Sequence, residues 1–98
     1  MTDKPESLYE RAIAYGIPTY SAQSLQNYIL HGIPTGDFLN AVLCNDLILA
    51  VMYADPENTK ILPTYIKFLY NEVPQLAWGS SELVTKWMAE RKADRMTV

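Results

Sequence analysis

Polar residues that could do chemistry are few in this chain, and Asp46 stands out among them. At 100° per residue it falls in the middle of an apolar helix face made by Phe38, Leu39, Val42, Leu43, Leu49, Ala50, Tyr53 and Ala54. A carboxylate in that position needs hydrogen-bond donors or must become neutral. Two roles meet the requirement. Asp46 can accept bonds from a neighbouring helix start or from a tyrosine or tryptophan, the commoner architectural role. Otherwise it forms, with Asn45, the polar floor of a ligand pocket. Tyr70, Asn71, Trp78, Ser80 and Arg91 complete the candidate ligand-binding set, offering rings to stack and groups that can meet an anion. Tyr15, Tyr20, Tyr70 and Trp78 fall near helix ends, where a groove could form, whereas Tyr53, Tyr65 and Trp87 read as core.

Other chemistries find little support. One histidine, His31, and one cysteine, Cys44, make a zinc site within one chain improbable, and Cys44 has no disulfide partner. Ser80 and Ser81 lie outside any GxSxG pattern, and Walker and Rossmann patterns are absent. Gly36 opens a helix whose N–H groups could hold phosphate, but Asp37 places its own charge on that dipole, so capping is the better reading. No catalytic residue, metal or cofactor is expected, and the chain is not expected to be an enzyme.

Composition narrows the class further. The 98 residues are 49% hydrophobic with a net charge of −3, which favours a folded domain and opposes general nucleic-acid binding. Lys86, Arg91, Lys92 and Arg95 gather near the end of the chain, where cations also suit a helix C-terminus. The uncharged apolar run Leu47–Ala54 falls well short of the ~18 apolar residues that mark a membrane span. Met1–Glu6 lacks the layout of a signal peptide, so a cytoplasmic protein without membrane attachment is expected.

The periodicity predicts an all-α fold: one domain, 1–98, of about five helices, with the basic end 91–98 able to flex. The helices are expected at 5–15 with Asp3 as cap, at 22–31, at 36–54, at 56–71 behind the Asp55-Pro56 cap, and at 81–92 behind Ser80. Gly16-Ile17-Pro18-Thr19 returns as Gly32-Ile33-Pro34-Thr35, fitting a helix stop followed by a helix start. The stretch 36–54 is taken as one long central helix. The alternative is a break at Asn45-Asp46 with Asp46 capping a second helix, but the unbroken 3.6 periodicity favours continuity. Opposite its first face lies a second apolar stripe, Ala41, Cys44, Ile48, Val51 and Met52. A helix apolar on both sides is difficult to cover within so short a chain, which marks this stripe as an interface, with a homo-oligomer expected.

A resemblance adds to this. Gly32-Ile33-Pro34-Thr35-Gly36-Asp37-Phe38-Leu39, Ala41-Val42-Leu43, Asn45-Asp46-Leu47, Ala54-Asp55 and Asn58 are followed by Phe68-Leu69-Tyr70-Asn71, Pro74, Trp78-Gly79-Ser80 and Trp87. From about Leu25 to Trp87 the chain resembles small uncharacterised proteins of tailed bacteriophages and prophages. The resemblance implies a viral accessory protein in the bacterial cytoplasm. By analogy, such a protein counters host defence in one of two ways. It sequesters a small anionic or nucleotide-like signal within an oligomer, or it blocks a host protein through the exposed apolar helix face.

Overall fold

The computed structural model describes residues 7–96, and among these all regular structure is helical. Six α-helices follow in order: α1 Leu8–Tyr15, α2 Thr19–His31, α3 Asp37–Leu43, α4 Leu47–Tyr53, α5 Pro56–Glu72 and α6 Ser81–Met96. A 3₁₀ turn, Gln75–Ala77, joins α5 to α6. The molecule is 20 Å thick against 41 × 38 Å in its other dimensions, the depth of two layers of helices about 10 Å across.

The all-α expectation holds, with six helices where five were expected, and the added helix comes from the centre of the chain. The helix expected over 36–54 stops at Leu43 and restarts at Leu47. Asn45 takes the left-handed conformation at φ 61°, the Asp46 N–H donates to Ala41 O at 2.9 Å, and the Asn45 N–H donates to Val42 O at 3.1 Å. That is a Schellman closure with asparagine in the place usually given to glycine. Asp46 then caps α4, its Oδ1 accepting from the Leu49 N–H at 3.1 Å. Two adjacent residues end one helix and begin the next.

Other boundaries moved for similar local reasons. α1 begins behind Ser7, which accepts from the Glu10 N–H while Glu10 accepts from the Ser7 N–H, a reciprocal capping box. The expected cap, Asp3, and Pro5 lie outside the described residues. α2 starts three residues earlier than expected, directly behind Pro18. α6 continues to Met96, so the basic stretch is helical through Arg95. Asp55 and Ser80 cap α5 and α6 as anticipated, accepting from Asn58 N–H at 2.7 Å and Leu83 N–H at 3.1 Å. α5 runs unbroken through Pro63.

Of the two Gly-Ile-Pro-Thr copies, both glycines are left-handed, at φ 99° and 69°. Ile17 is buried behind the first, but Ile33 is exposed behind the second. The buried core includes Leu8 and Ala12 of α1, Ala22, Leu25, Tyr28 and Ile29 of α2, Leu39, Ala41, Val42 and Leu43 of α3, Tyr65, Phe68 and Leu69 of α5, and Val84 of α6. α1 packs on α2 and α5, α2 on α6, and α6 on the 3₁₀ turn. α4 packs chiefly on α3, its neighbour in sequence. Ala50 is its one buried residue.

Candidate interaction site

Breaking the central helix changes what its two stripes do. Leu39, Ala41, Val42 and Leu43 are all buried on α3, so Ala41, assigned to an interface, is a core residue. α4 carries the reverse. Leu47, Ile48, Leu49, Val51, Met52 and Tyr53 are all exposed, with Ile48 at 76% and Met52 at 73%. Leu49 and Tyr53 had been assigned to the core face, and the turn between the helices rotates them into solvent. Ile66 of α5 is 40% exposed next to this surface. Cys44 is half-buried at the junction, and burial, with the Asp46 carboxylate as a second cause, pushes its thiol pKa up. It is a protonated thiol at neutral pH.

A shallow groove of about 40 Å³ runs along this face, lined by Ala41, Val42, Asn45, Asp46, Leu47, Ala50, Leu62 and Ile66. Asn45 and Asp46 therefore share a depression, but its walls are hydrocarbon. Asp46 is half-buried rather than sunk in the core, because α4 starts at it instead of passing through it.

The Gly79 N–H donates to Leu43 O at 2.7 Å, which brings the Trp78-Gly79-Ser80 segment to the α3–α4 junction. Trp78, Ser80, Asn45 and Asp46 are thus drawn to one region. Tyr28 braces it from below: its hydroxyl donates to Ala77 O at 2.6 Å. Burial, with a smaller contribution from Cys44, raises the Tyr28 phenol far above its ordinary range. The Trp78 Nε1 is buried and meets no acceptor among the described residues. Ser80 Oγ is engaged as the α6 cap. Tyr70 and Asn71 are exposed near the C-terminal end of α5. Arg91 is anchored separately, its guanidinium 4.3 Å over the Trp87 ring and its Nε 3.3 Å from Asp94 Oδ2. Trp87 in turn donates Nε1–H to Ile29 O at 3.1 Å.

Among the described residues no three His, Cys, Asp or Glu side chains gather as a metal site would require. No helix there is long and apolar enough to cross a membrane. A larger cavity, about 230 Å³, lies elsewhere, between the starts of α2, α3 and α5. Its place near a helix end marks Tyr20 as a groove residue, and it lines this cavity, but the sequence gives no sign of Ser21 and Asn58, the buried polar residues that line it as well. Compared with protein-family models, curated proteins and solved structures, the chain matches none.

Proposed function

We propose that this chain is a non-catalytic, phage-derived binding protein that works as a homo-oligomer joined through α4. Its cargo is a small anionic, nucleotide-like signal held where subunits meet, and holding it counters host defence. One observation carries the assembly: a seven-residue helix that exposes six large apolar side chains. A standard interface takes about 800 Å² from each partner, and the exposed side chains of α4 with Ile66 offer an area of that order. Asp46 is the one charged residue among those lining the groove, which suits an apolar, water-excluding contact.

The size of the cavities supports placing the ligand between subunits. Pockets for ligands of nucleotide size run from about 300 Å³ upward, and neither of the two cavities described above reaches that. Asn45, Asp46, Trp78 and Ser80 at the border of the α4 face form the part of the site contributed by one subunit. Tyr70, Asn71 and the basic run of α6 with Arg91 are the groups a neighbour would bring. The ligand class itself rests on the resemblance to phage proteins.

The exposed α4 face favours one other reading, a protein–protein inhibitor or adaptor that presents Ile48, Val51 and Met52 to a host protein. Light scattering on the eluting protein separates the two. An integral multiple of 11.1 kDa supports self-assembly, and a single-chain mass at high concentration removes it in favour of the adaptor. Thermal unfolding against a panel of cyclic and linear nucleotides tests the ligand. A midpoint rising with concentration supports it, and a flat response to every nucleotide overturns it.

A further inference from the structure

The cavity of about 230 Å³ between the starts of α2, α3 and α5 carries chemistry of its own. Its floor is Ser21 and Asn58, 2% and 5% exposed, the buried polar residues of the described chain. Both meet the hydroxyl of Tyr65, at 2.8 Å and 2.9 Å. That hydroxyl has one proton and a carboxamide oxygen can only accept, so Tyr65 donates to Asn58 Oδ1 and accepts from Ser21. With its carbonyl engaged, Asn58 has its amide N–H₂ left to offer the cavity.

The walls are aromatic and acidic. Tyr20 and Phe38 both line it, and Phe38 is fixed by an edge-to-face contact with Tyr65 at 5.2 Å between centroids. Asp37 lines the wall directly. Asp55 and Glu57 precede Asn58 on the same turn, and both carboxylates act on Tyr65 from there. No lysine or arginine lines the cavity. Aromatic rings beside a carboxylate favour an organic cation over an anion. The Asn58 amide, alongside the Ser24 hydroxyl, suits an oxygen acceptor on the same molecule. At roughly 30 Å³ per water-sized group, the volume admits about eight non-hydrogen atoms.

We infer that the cavity formed by Tyr20, Ser21, Ser24, Asp37, Phe38 and Asn58 is a binding site for a small organic cation bearing a hydroxyl, of the amino-alcohol class. It is separate from the α4 face and binds a ligand of opposite charge to the one proposed there.

Choline is a suitable probe, and 3,3-dimethyl-1-butanol is its neutral counterpart of the same shape. In a ¹⁵N–¹H correlation spectrum, choline should give saturating shifts confined to Tyr20, Ser24, Asp37, Phe38 and Asn58. The neutral alcohol should bind roughly tenfold more weakly, as should choline to the Asp37→Asn variant. Ser24→Leu places a side chain in the cavity from a half-buried helical position and should abolish the shifts, while the rest of the spectrum reports an intact fold. Equal binding of the alcohol, shifts scattered over the acidic surface without saturation, or undiminished binding to Ser24→Leu would each overturn the inference. Repeating the titration on a variant altered only at α4 keeps the result independent of the assembly.

Discussion

Tyr65 is the residue on which the interior depends most. It is fully buried, holds Ser21 and Asn58 by its hydroxyl, and packs its ring against Phe38. Tyr65→Phe leaves two buried polar groups without their partner, and urea unfolding should show a loss of about 1–3 kcal/mol. The same group sets an alkaline limit. Burial, opposed only by the Ser21 bond, pushes its pKa up to about 12, above the ordinary tyrosine value near 10. The unfolded chain therefore releases this proton first, so the contribution is complete below pH 10 and is lost as pH rises toward 12. Tyr65→Phe should make that part of the stability profile shallower, the remaining slope coming from Tyr28, which burial also raises. The paired glycines give a second residue-level contrast. Both are left-handed, but a Cβ on Gly32 would stand 2.6 Å from Arg91 Cβ and 2.9 Å from Met88 O, whereas one on Gly16 meets nothing within 4 Å. Gly16→Ala should cost about 1 kcal/mol for conformation alone, and Gly32→Ala distinctly more, since α6 must also shift. Equal losses on urea unfolding would show that the α2–α6 contact yields freely.

At the level of elements, most of the architecture was legible because its signals are local. Ser80 and Asp55-Pro56 state their helix starts in two residues, and Gly16 and Gly32 state their stops. The break in the middle was misread because its signal is weaker than the periodicity running through it. Leu39, Val42 and Leu43 continue in phase into Leu49, Ala50 and Tyr53, and no glycine or proline interrupts them. Asparagine tolerates the left-handed region and aspartate is among the strongest N-caps, so Asn45-Asp46 is a stop followed directly by a start. The apparently buried carboxylate was the symptom of that break. Asp46→Ala should cost about 1 kcal/mol on urea unfolding while Asp46→Asn costs little, because amide and carboxylate oxygens both cap. Asn45→Gly should be nearly neutral, and Asn45→Val should lose at least about 1 kcal/mol from the strained φ. A silent Asn45→Val would mean the junction is not left-handed in solution. The candidate sites were less legible, since the cavity floor joins Ser21, Asn58 and Tyr65 from two helices far apart in sequence.

For the whole molecule, the central question is how a chain with a mean hydropathy of −0.08 and pI near 4.9 carries α4 in water. Two helical layers 20 Å thick are too thin to wrap it, and α4 rests chiefly on α3, leaving Leu47, Ile48 and Met52 each more than two-thirds exposed. A second copy would supply what the single chain lacks, because the chain presents both a projecting apolar helix and the shallow groove beside it. Ridge and groove on one surface allow a closed, self-complementary contact. If that contact holds the assembly, Ile48→Glu with Met52→Glu should reduce the mass to one chain, since two carboxylates per subunit would have to be desolvated against each other. Unfolding should remain cooperative, because neither residue contributes to the core. Salt provides the complementary measurement. Raising ionic strength from about 0.1 to 1 M shortens the screening length from about 10 to 3 Å, which loosens contacts made by charge and leaves apolar ones intact. The native mass should therefore persist in high salt and vanish in the double variant. Dissociation of the native protein by salt, or a double variant that keeps the native mass, would place the subunit contact elsewhere and return the α4 face to a different protein partner.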